Sequence, residues 1–164
     1  PDGARILDFG CARGYVVKAL RGLGYDAFGI DISRWAIDNA DEEVRPFVSL
    51  TDSTPLLLSQ GFDWIIAKDV LEHIEDLDSI IKTLRTARKG IFIVVPLANG
   101  KQYDVLDYEA DITHIHRQPL QWWVGHFHQV GWSVEARYRI RGIKDNYAGY
   151  PTGNGFIVAR RIEA

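Results

Sequence analysis

Three groups of residues in this sequence have the types and spacing to do chemistry. The first is Asp8-Phe9-Gly10-Cys11-Ala12-Arg13-Gly14, a glycine-bearing turn behind a short apolar run. Glycine allows positive φ and lets a ligand approach the backbone. The second is Asp31, 21 residues after Gly10 and at the end of the next apolar run. A carboxylate in that position can accept both hydroxyls of a ribose. The third is Asp69-Val70-Leu71-Glu72-His73, with polar groups at i, i+3 and i+4, hence on one face of a helical turn. His114 and His116 follow in Asp111-Ile112-Thr113-His114-Ile115-His116. An imidazole with a reference pKa of roughly 6.5 can accept a proton near neutral pH, so His73, His114 and His116 are the candidate bases. His126 and His128 sit among Trp122, Trp123 and Phe127 at helical spacing and read as core.

These groups need elements to position them, and the pattern supplies an alternation. Ala4–Phe9 reads as a strand, and Gly14–Leu23 as a helix with Val16, Val17, Leu20 and Leu23 on one face. Ala27–Ile30 is a second strand. Ser33 caps a helix whose Ala36, Ile37, Ala40 and Val44 recur at helical spacing. Pro46–Leu50 and Phe62–Ala67 are the next strands. Leu77, Ile80, Ile81 and Leu84 mark a helix with acids early and bases late, which suits its dipole. Ile91–Val95 is apolar throughout, as a central parallel strand should be. After a polar, aromatic loop from Pro96 to Gln118 come a helix at Leu120–Val130 and strands at Ser133–Ile140 and Gly155–Ile162. Arg137, Arg139 and Arg141 alternate and are expected to share a solvated face of the penultimate strand. The last two strands lack an intervening helix and read as an antiparallel addition at one edge. The expected architecture is α/β: a doubly wound, mostly parallel seven-stranded sheet with an antiparallel last strand.

Composition narrows the function. The chain has 164 residues, 46% hydrophobic and 25% charged, with a formal net charge of −3. That size suits one domain spanning residues 1–164. The charge gives no field to gather a phosphate backbone, which argues against nucleic acid as a partner. With a single cysteine no internal disulfide can form, and a reducing, cytoplasmic setting is the default. No apolar run approaches the roughly 20 residues that span a bilayer, and no signal peptide opens the chain. The start at Pro1, directly before a strand, suggests a piece of a longer chain that lacks its N-terminal helices.

The glycine turn fits either a nicotinamide dinucleotide or an S-adenosyl ligand until its spacing is read. The dinucleotide fingerprint starting at Gly10 needs small residues at positions 12 and 15. Position 12 is Ala, but position 15 is Tyr, which spoils the close helix–strand packing for which the third glycine exists. Asp8 also sits where a pyrophosphate would bring negative charge, whereas a ligand carrying an ammonium would welcome it.

The residues resemble a known family at this point. Ile6-Leu7-Asp8-Phe9-Gly10-Cys11-Ala12-Arg13-Gly14 is similar to the first motif of class I S-adenosylmethionine-dependent methyltransferases, and Gly29-Ile30-Asp31-Ile32-Ser33 to their second-strand acid motif. Asp52-Ser53 matches the acid that meets the adenine edge. Phe62–Ile74, ending Val70-Leu71-Glu72-His73-Ile74, resembles the fourth-strand motif and its turn. The resemblance covers residues 4–98 motif by motif, and the remainder by element order. It implies that Asp8, Phe9, Gly10, Cys11, Ala12 and Gly14 surround the methionine moiety. It implies further that Asp31 holds the ribose, Ile32 flanks the adenine, Asp52 and Ser53 bind its edge, and Lys68 and Asp69 lie near the sulfonium. The middle glycine of the family loop is Ala12 here, a tolerable exchange where φ is negative.

The implied reaction is methyl transfer to a small-molecule acceptor, with oxygen favoured because histidines lie near the expected pocket and the N-methylase N/D-P-P-Y motif is absent. His114 or His116 is expected to act as base or to orient the acceptor. Tyr103, Tyr108, Trp122, Trp123, Tyr147 and Tyr150 either line that pocket or cover a sheet edge. Asp69-x-x-Glu72-His73 resembles the E-x-x-E-H metal motif of small-RNA 2′-O-methyltransferases and some ubiquinone-pathway O-methyltransferases. A divalent metal is the less favoured reading, since Mg²⁺ prefers oxygen ligands and Asp replaces the first Glu. Two alternatives stand beside the leading one: a metal-assisted RNA 3′-end 2′-O-methyltransferase, and a non-catalytic S-adenosyl-binding regulatory or scaffold module. Acceptor identity and oligomeric state are open.

Overall fold

The computed structural model describes residues 3–50 and 61–162. The apolar runs form strands β1 (Arg5–Phe9), β2 (Asp26–Asp31), β3 (Val48–Leu50), β4 (Trp64–Lys68), β5 (Gly90–Pro96), β6 (Trp132–Arg137) and β7 (Asn154–Arg161). They lie in a seven-stranded sheet ordered β3-β2-β1-β4-β5-β7-β6. β1 is parallel to β2 and β4, β2 is parallel to β3, and β6 is antiparallel to β7. Among the described residues the α-helices are α1 (Tyr15–Gly22), α2 (Arg34–Asp38), α3 (Leu77–Leu84) and α4 (Leu120–Gln129). This is the α/β sheet with an antiparallel last strand that the alternation implies. Among the described residues, no helix is long and apolar enough to cross a membrane.

The chain divides into two compact units, one of Pro1–Ala67 with Thr83–Ile91 and the other of Lys68–Lys82 with Phe92–Ala164. In the first, Ile6, Cys11, Val17, Ala27, Ala40, Val44 and Val48 form a continuous apolar cluster. Its tightest point is Gly29, where a Cβ would lie 2.7 Å from the Cys11 sulfur and 2.8 Å from a Val17 methyl. Only a residue without a side chain lets the turn after β1 and helix α1 lie so close on β2. α2 begins as expected, with Ser33 Oγ accepting from the Ala36 amide at 3.2 Å. It ends at Asp38, however, well short of the Val44 that the spacing predicts. The Asn39 amide group donates to the Trp35 carbonyl at 2.8 Å, and Arg45 donates to the Ala40 carbonyl at 3.0 Å. The Arg45 side chain thus takes a carbonyl that a longer helix would need, whereas the Trp35 carbonyl also keeps its helical bond from the Asn39 backbone amide at 3.1 Å. Ala40 and Val44 stay buried all the same.

In the second unit, β6 and β7 pair in register from Trp132 opposite Arg161 to Arg137 opposite Phe156. α4 packs against both strands and buries Leu120, Trp123 and Phe127 at i, i+3 and i+7. β6 stops at Arg137 rather than Ile140, because Ile140 bridges to Ile143 around Gly142, which has a φ of +88°. Arg139 and Arg141 therefore lie beyond the strand, so the three arginines do not share one strand face as their alternation suggested.

Candidate functional site

β1 delivers the glycine turn in the first unit, and Asp8 near its end is buried. The amides of Gly10 and Cys11 donate to the Ile30 carbonyl at 2.8 and 3.0 Å. Asp31 Oδ2 accepts from the Ala12 amide at 2.8 Å, and its Oδ1 from the Ser33 amide at 2.7 Å. The carboxylate expected to meet a ribose thus also ties the turn to β2. Ala12 has a φ of +46°, not the negative value under which its exchange for glycine is free. A left-handed alanine costs about 1–2 kcal/mol, which the Asp31–Ala12 bond helps to sustain. Burial pushes the Cys11 thiol up to about 12, with Asp8 and Asp31 adding to the effect. It is a filler and not a nucleophile.

These residues fit an adenosyl ligand on one observation in particular. Ile32, directly after Asp31, is 85% exposed, an apolar side chain held out beside a hydrogen-bonding carboxylate at a strand end. Asp31 and Ile32 would hold the ribose and the base, and the Gly10–Gly14 backbone the methionine part. Asp52 and Ser53 lie outside the described residues.

The second unit contains a cavity of about 600 Å³ lined by acids, bases and aromatics. Lys68, Asp69, Glu72 and His73 reach it from the end of β4 and from the 3₁₀ turn Leu71–His73. Tyr108, Asp111 and His114 reach it from the loop after β5, and Lys144 and Tyr147 from the turn between β6 and β7. The Asp69-x-x-Glu72-His73 segment is therefore not a turn of α-helix. Asp69 stands before the 3₁₀ turn with a left-handed φ of +56°.

Hydrogen bonds fix which nitrogens of the cavity histidines carry lone pairs. His114 Nδ1 lies 3.1 Å from the Tyr108 carbonyl, which can only accept, so Nδ1 carries the hydrogen and Nε2 the lone pair. The Thr113 hydroxyl donates to Asp111, so His73 Nδ1, 2.9 Å from the same hydroxyl oxygen, is the donor there. Its Nε2 likewise keeps a lone pair in the neutral ring. Burial holds the His114 imidazolium below its usual range, against the pull of Asp111. Glu72 is fully buried, and among the described residues neither of its carboxylate oxygens has a hydrogen-bond partner. Burial first, then the Asp69 charge, pushes its carboxyl up to about 8. One ligand atom from each of Glu72, His73 and His114 lies within 4.8 Å of the others. Two imidazole nitrogens thus converge on a carboxylate that no hydrogen-bond donor meets among the described residues. A buried polar group left without a partner costs about 1–3 kcal/mol, so this arrangement suits a cation.

His73 and His114 are brought together, with ring centroids 4.7 Å apart. His116 is not: its Nε2 lies 2.7 Å from the Ile74 carbonyl, and its ring packs on Trp122 and Trp123. His126 binds Asp78 and His128 binds the Trp132 carbonyl, both away from the cavity. Of the aromatics, Tyr108 and Tyr147 line the cavity, whereas Tyr103 is buried with its hydroxyl on the His116 carbonyl. Lys144 and Asn146 escape sequence reading, because a Gly-Ile-Lys-Asp-Asn turn looks like any polar surface loop.

A family model described as a methyltransferase domain matches residues 1–137. The chain belongs to that family. The ubiquinone biosynthesis O-methyltransferase of Methylococcus capsulatus is 31% identical over 100 residues, covering 54% of this chain and 40% of that protein. The chain thus spans less than half the length of that curated relative. A SAM-dependent methyltransferase from Archaeoglobus fulgidus superposes over 98% of this chain and 87% of its own, with TM-score 0.76 at 17% identity. Phosphoethanolamine N-methyltransferase 2 of Haemonchus contortus, solved with S-adenosyl-L-methionine, superposes over 98% of this chain and 49% of its own, with TM-score 0.70 at 14% identity. The strand order and antiparallel β7 are those of the class I methyltransferase fold, whose methyl donor is S-adenosylmethionine.

Proposed function

We propose that this methyltransferase domain methylates an oxygen of a small-molecule acceptor, with S-adenosylmethionine as donor and the cavity that holds His114 taking the acceptor. When bound, S-adenosylmethionine supplies a methyl group on an activated sulfonium and leaves as S-adenosylhomocysteine. The protein then needs to align the two ligands and remove one proton. His114 is the base in this reading. Its Nε2 would take the proton of the acceptor hydroxyl as that oxygen accepts the methyl group. The observation that carries the reading is the His114 tautomer, which leaves Nε2 free to accept in a cavity of about 600 Å³. The O-methyltransferase name of the curated relative supports oxygen over nitrogen or carbon.

A second reading is favoured by the bare oxygens of Glu72. In it Glu72, His73 and His114 would hold a divalent cation, which would supply a Lewis acid to make an acceptor hydroxyl more acidic. Such a centre also suits an RNA 3′-end 2′-hydroxyl, although a net charge of −3 gives no field for RNA. Transfer of a labelled methyl group to a panel of hydroxylated small molecules, with and without EDTA, tests all of these. Transfer that His114→Gln cuts by about 100-fold without weakening S-adenosylhomocysteine binding supports the base. Loss of transfer on chelation, restored by Mn²⁺ or Mg²⁺, supports the metal. Donor binding with no turnover on any acceptor leaves the regulatory-module reading standing instead.

A further inference from the structure

The same cavity already contains a cation, and it belongs to the chain. Lys144 Nζ lies 2.6 Å from Asp69 Oδ1 and 2.9 Å from the Tyr108 hydroxyl. Its ammonium sits 4.8 and 5.8 Å from the ring centres of Tyr108 and Tyr147, within cation–π range. The Lys144 side chain is only 9% exposed. The other oxygen of Asp69 pairs with Lys68, so this carboxylate is saturated while the carboxylate oxygens of its neighbour Glu72 have no hydrogen-bond partner among the described residues.

The backbone at both ends of the Lys144–Asp69 pair is unusual. Lys144 has a φ of +57° and Asp69 a φ of +56°, a conformation costing a non-glycine residue about 1–2 kcal/mol. The Asp145 carboxylate accepts from the Gly142 amide at 3.0 Å and braces the turn that carries Lys144. Strain at two cavity residues that meet each other points to a functional arrangement.

We infer that Lys144 is a tethered competitor of the divalent cation: its ammonium holds Asp69, and must release it before Asp69 can join Glu72, His73 and His114 around an ion. The inference rests on the metal reading above and concerns how that site is regulated. Occupancy of Asp69 by lysine raises the cation concentration needed to load the site. Loading in turn frees the ammonium within the acceptor cavity. The two cations are coupled negatively through one carboxylate.

The test is the Mn²⁺ affinity of the purified chain, read by titration calorimetry or by the loss of free-ion electron paramagnetic resonance signal. The chains compared are wild type, Lys144→Met, Asp69→Asn and the double variant. Lys144→Met should bind Mn²⁺ about tenfold more tightly than wild type, and the gain should vanish in the Asp69→Asn background. Equal or weaker binding by Lys144→Met overturns the inference. So does a gain that persists in the double variant, because Lys144 would then act only as a nearby positive charge. Lys144→Gln, close in length to the native side chain, serves if the methionine variant does not fold as judged by near-ultraviolet circular dichroism. If neither wild type nor either Lys144 variant binds Mn²⁺, the metal reading itself fails and this inference falls with it.

Discussion

Single side chains in this domain do two jobs where one was expected. Asp31 is the residue expected to meet a ribose, yet both of its oxygens already accept backbone amides, from Ala12 and Ser33. Ala12 needs that bond because its φ is +46°. Replacing Ala12 by glycine relieves the left-handed strain and should stabilise the fold by about 1 kcal/mol, measured by urea unfolding with an unchanged m-value. A destabilised variant would mean that the methyl group packs favourably enough to outweigh the backbone. Spacing finds Asp31 easily, since an acid so far beyond a glycine turn is a one-dimensional pattern. It cannot find the sign of φ at residue 12, which is decided by where Asp31 sends its oxygens. The convergence of His73, His114 and Glu72 is half legible in the same sense. The residue types stand out, but the bare state of Glu72 is a property of everything packed around it.

Strand and helix positions follow the apolar spacing closely wherever one face is continuously buried. β5 is apolar from Ile91 to Val95 and falls where the pattern puts it. The departures are at ends, in α2 and β6, where Arg45 takes the Ala40 carbonyl and Gly142 turns the chain through a positive φ. Element packing makes its own prediction at Gly29. A Cβ there would meet Cys11 at 2.7 Å and Val17 at 2.8 Å, forcing β2 away from the turn. Gly29→Ala should therefore cost about 1–3 kcal/mol of stability and weaken S-adenosylhomocysteine binding, since the displaced turn is the one expected to hold the donor. Thermal unfolding with and without that ligand checks both effects. A variant of wild-type stability would mean that Cys11 moves aside freely.

Stability of the whole molecule should carry the imprint of Glu72. Its carboxyl is pushed from 4.5 to about 8 by burial and by Asp69. Between those values the native chain keeps a proton that the unfolded chain has lost, so the unfolded state binds fewer protons and stability falls as pH rises. The contribution is fully present below pH 4.5 and lost as pH passes about 8. Denaturant unfolding in EDTA across that window should give a declining stability for wild type and a flatter profile for Glu72→Gln. Parallel profiles would mean that the carboxyl finds a partner in solution. Bound Mn²⁺ should remove most of the decline, because a ligating carboxylate is stable without its proton.

The position of β7 in the sheet bears on how the chain is made. β6 has a single neighbour in the strand order, β7, which follows it in the sequence. A ribosome therefore releases β6 before the strand that will pair with it exists. For that interval the backbone of β6, and the apolar face carrying Trp132 and Val134, wait uncompleted. The interval lasts for the translation of the whole turn that carries Lys144. Length added to that turn prolongs the exposure of an open strand edge to other nascent chains.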